Sequence, residues 1–198
     1  SDLVSVINGG GAISDAFSHL AFDKMIFTGS TEVGKTVMRA ASENLVPVIL
    51  ELGGKSPAIV HPEMSIKDAA QRLVAGKLWN AGQTCVAPDY LFLPRGKTAE
   101  FVQSFRRFVT HMYPTIRDNK DYTSIINDKQ YRRLQGYLED AQQHGAQIIE
   151  INCKHEALAD VRKIAPTFLT NVTPDMQVMQ HEIFGPILPI FEYDSIDE

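Results

Sequence analysis

Cysteine, tryptophan and clustered positive charge are all scarce in this sequence of 198 residues, and each scarcity excludes something. Two cysteines, Cys85 and Cys153, cannot build a disulfide framework in a chain this long, which points to a reducing compartment. The net charge is -5 and no run of lysine or arginine interrupts the acidic balance, so no nucleic-acid partner is expected. No apolar run approaches membrane-spanning length. The opening S-D-L-V-S-V-I-N has neither the charged nor the apolar part of a signal peptide. The expected location is therefore the cytoplasm, with no membrane contact. The six histidines lack ligand spacing with one another or with either cysteine, and no metal site is expected. Internal repeats and low-complexity stretches are absent too.

What is present is a run of buried-strand and helix signals in alternation. Hydrophobic residues make up 44% of the chain, enough for a sizeable core. Leu3 to Asn8 reads as a strand and Ala12 to Leu20 as a helix. Lys24 to Thr28 is a second strand, Thr31 to Asn44 a helix, and Pro47 to Leu52 a continuous apolar strand closed by Gly53 and Gly54. Pro57 to His61 is another strand. Ser65 and Asp68 form a capping box before the stripe Ile66, Ala69, Ala70, Leu73, Val74, Leu78 and Ala81, a helix predicted to end near Ala81. After a strand at Tyr90 to Leu93, a helix carries Phe101, Phe105, Phe108 and Met112 inward. Asp128 is predicted to cap a helix with Tyr131, Leu134, Leu138 and Ala141 inward, which Gly145 ends. Strands at Ala146 to Ile151, Pro166 to Val172 and Ile187 to Phe191 follow, with a short helix over Asp175 to Ile183. The fold class is α/β, a parallel sheet covered on both faces. Because the sequence opens at Ser1 on one strand-like run and stops at Glu198 just after another, a fragment of a longer chain is expected.

Four stretches carry residues suited to chemistry. In W-N-A-G-Q-T-C-V-A-P-D-Y, Trp79 to Tyr90, Cys85 follows a glycine-permitted turn that would present its side chain, although a free cysteine is most often a small buried hydrophobe. In G-S-T-E-V-G-K-T, Gly29 to Thr36, a strand meets a helix in a phosphate-loop pattern. Backbone N–H groups at that helix start favour an anion such as a pyrophosphate, and an ordinary cap by Ser30 or Thr31 is the alternative. A nucleotide hydrolase would want an aspartate at the end of the next strand, where V-I-L-E supplies Glu51 instead. Glu51 itself, in L-E-L-G-G-K-S-P, has leucines on both sides. An apolar site raises a carboxylate's pKa toward what a general base requires; pairing with Lys55 is the competing explanation. In H-E-I-F-G-P, His181 to Pro186, Glu182 is suited to accept from ribose hydroxyls and Phe184 to pack on a flat ring, against the readings of a solvated glutamate and a core phenylalanine. Cys153 reads as incidental.

Taken together and in this order, F-T-G-S-T-E-V-G-K, L-E-L-G-G-K-S-P, G-Q-T-C and E-I-F-G-P resemble the aldehyde dehydrogenase superfamily. With Y-T-S-I-I-N-D at Tyr122 to Asp128 they are most similar to its class-3-like branch, which includes bacterial coniferyl aldehyde dehydrogenases. The resemblance implies a three-layer α/β sandwich. Residues 1–52 would be the last part of a Rossmann-like NAD(P)-binding domain, and residues 53–198 a cysteine-bearing catalytic domain. It implies NAD or NADP as cofactor, a small-molecule aldehyde as substrate, aromatic such as coniferaldehyde or aliphatic, and a homodimer of the full-length protein. Cys85 would be the nucleophile and Glu51 the base that activates the hydrolytic water. Gly29, Ser30 and Gly34 would lie near the pyrophosphate and nicotinamide, and Glu182 and Phe184 near the nicotinamide ribose and ring. It also implies that the family's oxyanion asparagine and cofactor-binding lysine lie upstream of Ser1, so that an isolated fragment is inactive. Two rivals stand beside this reading. One is a non-catalytic structural or binding relative on the same fold; the other is a cofactor-independent cysteine acyl-transfer enzyme.

Overall fold

The computed structural model describes residues 3–197, and the chain divides into two compact units, Ser1–Gly53 and Gly54–Glu198. In the first unit, α1 (Gly11–Ser18) precedes β1 (Met25–Gly29), α2 (Thr31–Ser42) and β2 (Val48–Leu52). The two strands pair in parallel, with Met25 opposite Val48 and Gly29 opposite Leu52. Parallel neighbours need a crossover, and α2 supplies it. Its buried Gly34, Val37, Ala40 and Ala41 recur at helical spacing. That face closes on Met25, Val46, Phe27 and Val48. The strand expected over Leu3 to Asn8 does not form. A β-rich run becomes a strand only where another strand satisfies its N–H and C=O groups, and the sheet of this unit consists of β1 and β2 alone among the described residues.

The second unit is built on a five-stranded sheet. Its strands are β3 (Pro57–Ile59), β4 (Tyr90–Pro94), β5 (Gln147–Glu150), β6 (Thr167–Thr170) and β7 (Ile187–Tyr193), in the spatial order β3-β4-β7-β6-β5. All neighbours run parallel except β5, which is antiparallel to β6; the expected all-parallel sheet thus gains an antiparallel edge strand. Alternation along the strands separates two cores. Leu91, Leu93, Phe168, Leu188 and Ile190 pack with α3 (Ile66–Leu78) and α4 (Thr98–Met112). Leu169 and Ile187 point the other way, into Leu134, Tyr137 and Ala141 of α5 (Asp128–Gln143) and Val178 of α6 (Gln177–Gln180). Helices therefore cover both faces, the three-layer arrangement the residues predicted.

Local sequence explains the helix limits. Ser65 accepts from the Asp68 N–H and starts α3 as expected. Asn127, one residue before the expected Asp128, caps α5 by accepting from the Gln130 N–H at 2.9 Å. On α4, Phe101, Phe105 and Val109 are fully buried, and Phe105 meets the Phe168 ring edge-on at 4.8 Å between centroids. Phe108 is half-buried and Met112, at the helix terminus, is exposed, so the inward stripe is shifted from the one expected. The helix expected over Asp175 to Ile183 shrinks to the four residues of α6.

Candidate functional site

The turn that carries Cys85 is set by backbone conformations that few residues tolerate. α3 stops at Leu78 rather than near Ala81, and a 3-10 turn over Trp79–Gly82 follows in which Asn80, Ala81 and Gly82 all have positive φ, 52°, 52° and 74°. A left-handed stretch of this kind costs energy at each residue other than glycine, and persists only where its surroundings enforce it. Gly82 shows what enforces it. A Cβ there would stand 2.4 Å from the Gly185 carbonyl oxygen, so the backbone of this turn and that of the Gly185 loop touch directly. The buried Gln83 then fastens the turn sideways. Its amide nitrogen donates to the Asn80 and Ser124 carbonyls, each at 3.1 Å, and its amide oxygen accepts from the Ile126 N–H at 3.0 Å. The Asn80 side chain closes the loop by donating to the Gln83 carbonyl at 3.1 Å. Held in this way, Cys85 is exposed, as the glycine turn predicted. Cys153, also exposed, lies 3.3 Å from the Thr110 hydroxyl.

Opposite the turn, the loop from His181 to Pro186 is anchored by a buried ion pair. Lys55 binds the Asp89 carboxylate and donates to the carbonyls of Val178 at 2.9 Å and His181 at 3.1 Å. The other Asp89 oxygen accepts from the Ile183 N–H at 2.9 Å. Arg133 donates to the carbonyls of Glu182 and Ile183, at 3.1 and 2.7 Å, and lies over the Tyr137 ring. The backbone is thus gripped on both sides while Glu182 and Phe184 are left to face outward. Phe184, at φ 50°, is 37% exposed. The Glu182 carboxylate is partly buried and accepts from the Gly54 N–H at 3.3 Å. Burial pushes its pKa up, the Gly54 N–H opposes this, Asp89 adds to it, and the charges of Arg133 and Lys55 oppose it.

Among the described residues of this unit, one buried side-chain nitrogen has no hydrogen-bond partner. Lys77 is 1% exposed and its Nζ makes no hydrogen bond. Burial lowers its pKa from 10.5 to about 8. The signal was present in the sequence, since 77 falls on the same helical stripe as Ala70 and Val74. Gln83 and Asp89 lie inside the Trp79 to Tyr90 stretch and Lys55 inside L-E-L-G-G-K-S-P, but the partners that give these residues and Arg133 their roles lie on segments distant in sequence, which no local motif shows.

The first unit holds the remaining candidates. Ser30 caps α2 by accepting from the Val33 N–H at 3.4 Å. Gly34 faces Leu52, whose methyl carbon would lie 2.8 Å from a Cβ at that position, and Gly29 faces the Phe27 ring at 2.6 Å. Close packing within the unit is thus reason enough for both glycines to be small. Lys35 pairs with Glu32 of its own helix, and Thr36 donates to the Glu32 carbonyl. Glu51 is exposed: the alternation of β2 turns Leu50 and Leu52 to the opposite face, so flanking leucines do not make the apolar enclosure expected from them. Lys55, in the other unit, binds Asp89. Against α2 lies a cavity of about 630 Å³ whose lining includes Ile7, Ile13, Phe17, Ile26, Val33 and Val37. Among the described residues, no helix is long and apolar enough to cross a membrane, and no group of three or more metal-ligating side chains occurs.

Comparison with known proteins bears on what these parts do. The model of the aldehyde dehydrogenase family matches residues 1–198. Coniferyl aldehyde dehydrogenase from a Pseudomonas species is 51% identical over 199 residues, covering 100% of this chain and 41% of that protein. Among solved structures, substrate-bound AldH of Staphylococcus aureus has a TM-score of 0.86 at 45% identity, over 96% of this chain and 41% of its own. The Mycobacterium tuberculosis aldehyde dehydrogenase complexed with NAD+ has a TM-score of 0.82 at 34% identity, over 96% of this chain and 40% of its own. The chain therefore spans about two fifths of the length of the proteins it matches.

Proposed function

The chain belongs to the aldehyde dehydrogenase family, and from that premise we propose that it serves the NAD(P)-dependent oxidation of an aldehyde to a carboxylic acid, with Cys85 as the nucleophile. The observation that carries this reading is the presentation of Cys85: an exposed thiol on a turn whose left-handed backbone is enforced by Gly185 and Gln83. A cysteine kept only for packing needs no such scaffold.

The Cys85 sulfur attacks the carbonyl carbon to form a thiohemiacetal, and the oxygen that gains charge is met by the Cys85 backbone N–H. A nicotinamide dinucleotide held beside it would supply the hydride acceptor, and the thiohemiacetal carbon, on giving up hydride, would be left as a thioester on Cys85. Glu51 takes a proton from the water that attacks it, releasing the acid and the free thiol. Glu182 and Phe184 would meet the ribose and ring of such a cofactor: the backbone of their loop is anchored by Arg133 and Asp89, which leaves the partly buried Glu182 carboxylate and the partly exposed Phe184 ring as the groups available to it. Ser30, Gly29 and Gly34 would meet its phosphates at the start of α2. The apolar cavity beside α2 suits a flat ring of the same molecule. In this reading residues 1–52 belong to the cofactor domain and 53–198 to the catalytic domain of a cytoplasmic homodimer. The named Pseudomonas relative favours an aromatic aldehyde such as coniferaldehyde over an aliphatic one.

Brief treatment with iodoacetamide, read by mass spectrometry with and without NAD, tests the proposal on two thiols that are both exposed. Cys85 is expected to label faster than Cys153, and its rate alone is expected to change when NAD is present. Equal rates indifferent to NAD would overturn it. A fast Cys85 that ignores NAD would favour the cofactor-independent acyl-transfer enzyme.

A further inference from the structure

Away from Cys85, a second lysine is held in an unusual way. The buried Lys163 donates to the carbonyls of Ile116, Arg117 and Asn119, at 2.9, 2.9 and 2.8 Å. That is one acceptor for each of the three protons an ammonium carries. The same stretch is held by the opposite sign from the other side. Both oxygens of Glu156 accept from the N–H groups of Ile116 and Arg117, each at 2.8 Å. The peptide units at 116 and 117 thus lie between a carboxylate at their N–H ends and an ammonium at their C=O ends. The neighbours of Lys163 extend the grip. The Arg162 carbonyl accepts from the Ile125 N–H at 2.8 Å, and the Ile164 carbonyl from the Tyr122 hydroxyl at 2.7 Å. Residues 162–164 therefore hold the segment at 116, 117, 119, 122 and 125, and the groups on either side of Ile125, the Ser124 carbonyl and the Ile126 N–H, are the two from this segment that hold Gln83.

We propose that Lys163 is a positioning residue for the Cys85 turn, a tethered monovalent cation whose three-carbonyl site would accept an alkylammonium ion in its place. The chemistry selects that class of ligand. The oxygens sit at N–H···O distances, whereas Mg²⁺ and Ca²⁺ require oxygens at roughly 2.0–2.6 Å. Carbonyl oxygens can replace the hydration of a monovalent cation when several converge. The proposal bears on function only through the role read for Cys85, and its test is independent of that role.

Lys163→Ala removes three methylenes and the ammonium, leaving a space shaped for propylammonium. Amide hydrogen exchange at Ile126 is expected to speed at least about tenfold, as loss of charge-assisted bonds frees the segment. The ratio of Cys85 to Cys153 alkylation is expected to shift with it, while Phe105 and Val109 in α4 exchange as before. Propylammonium chloride should restore both readouts. Tetramethylammonium chloride, equal in charge but without N–H groups, and sodium chloride should not. The proposal is overturned if Ile126 exchange or the alkylation ratio does not move, if Phe105 and Val109 speed equally, or if propylammonium does no better than the two controls. Should Lys163→Ala not fold, Lys163→Met keeps the volume; it should show fast Ile126 exchange that no amine reverses, because the side chain fills the space. Slow exchange in that variant, or failure of both to fold, would make Lys163 a support of the whole unit and overturn its specific role.

Discussion

Replacing Lys77 by methionine should stabilise the second unit, and the size of the gain follows from its surroundings. The lysine lies on the buried face of α3 with an Nζ that no protein atom satisfies. Burial depresses its pKa from 10.5 to about 8, Asp89 opposes the fall, Lys55 adds to it and Glu182 opposes it. At 1.36 kcal/mol per unit, that depression is about 3 kcal/mol by which the folded state disfavours the charged lysine. Below pH 8 both folded and unfolded chains carry the proton and the cost is present in full. Between pH 8 and 10.5 the folded chain has lost the proton that the unfolded chain retains, so wild-type stability rises with pH through this window. Methionine conserves the volume and carries no charge, so the variant should gain about 3 kcal/mol at pH 7 and lack this component of the rise. Urea unfolding followed by far-UV circular dichroism from pH 7 to 10 reads both quantities. With a urea slope of about 1–3 kcal/mol per molar, the midpoint should move up by at least about 1 M at pH 7, and the gap should close as the pH rises. A variant less stable than wild type at pH 7, or a gap that stays constant to pH 10, would refute the reasoning.

Three further outcomes are expected. Gly82→Ala should cost at least about 2 kcal/mol, because the turn needs φ near 74° and the new carbon would meet the Gly185 carbonyl; thermal melts of the variant measure it. Gln83→Leu should cost about 1–3 kcal/mol by removing the side-chain partners of the Ile126 N–H and the Ser124 carbonyl, the Asn80 carbonyl keeping the Gln83 backbone N–H, and should alter the iodoacetamide rate of Cys85 more than that of Cys153. Glu182 titrates above its ordinary 4.5 in the folded chain, so its contribution to stability is fully present below pH 4.5 and is lost as the pH rises through the folded value. Glu182→Gln should remove that fall, as comparison of the two stability curves between pH 4 and 7 will show.

The helices most legible in the sequence are those with a local start signal. Ser65 and the stripe beginning at Ile66 predicted α3, three residues too long at its end, and the turn at Gly29 to Gly34 predicted α2 from Thr31. Local rules sufficed because each helix satisfies its own backbone. The strand misread at Leu3 to Asn8 shows the limit of the same reasoning, since strand pairing depends on a partner that no local pattern describes. The exposure of Cys85 was legible from the glycine turn, but its supports were not. Gln83 reaches 41 residues along the chain to Ser124, Lys55 reaches 123 to Val178, and Lys163 reaches 47 back to Ile116. At Glu51 the opposite holds: its sequence neighbours Leu50 and Leu52 are not its neighbours in space, because strand alternation turns them to the other face.

The meeting of Gly82 with Gly185 joins main chain to main chain, with no side chain between. The point at which the thiol-bearing turn meets the Phe184 loop is therefore set by main chain alone, and the side chains of Asn80, Gln83, Arg133 and Asp89 hold the two loops to it. For anyone redesigning this surface, the two glycines and those four side chains are the fixed frame.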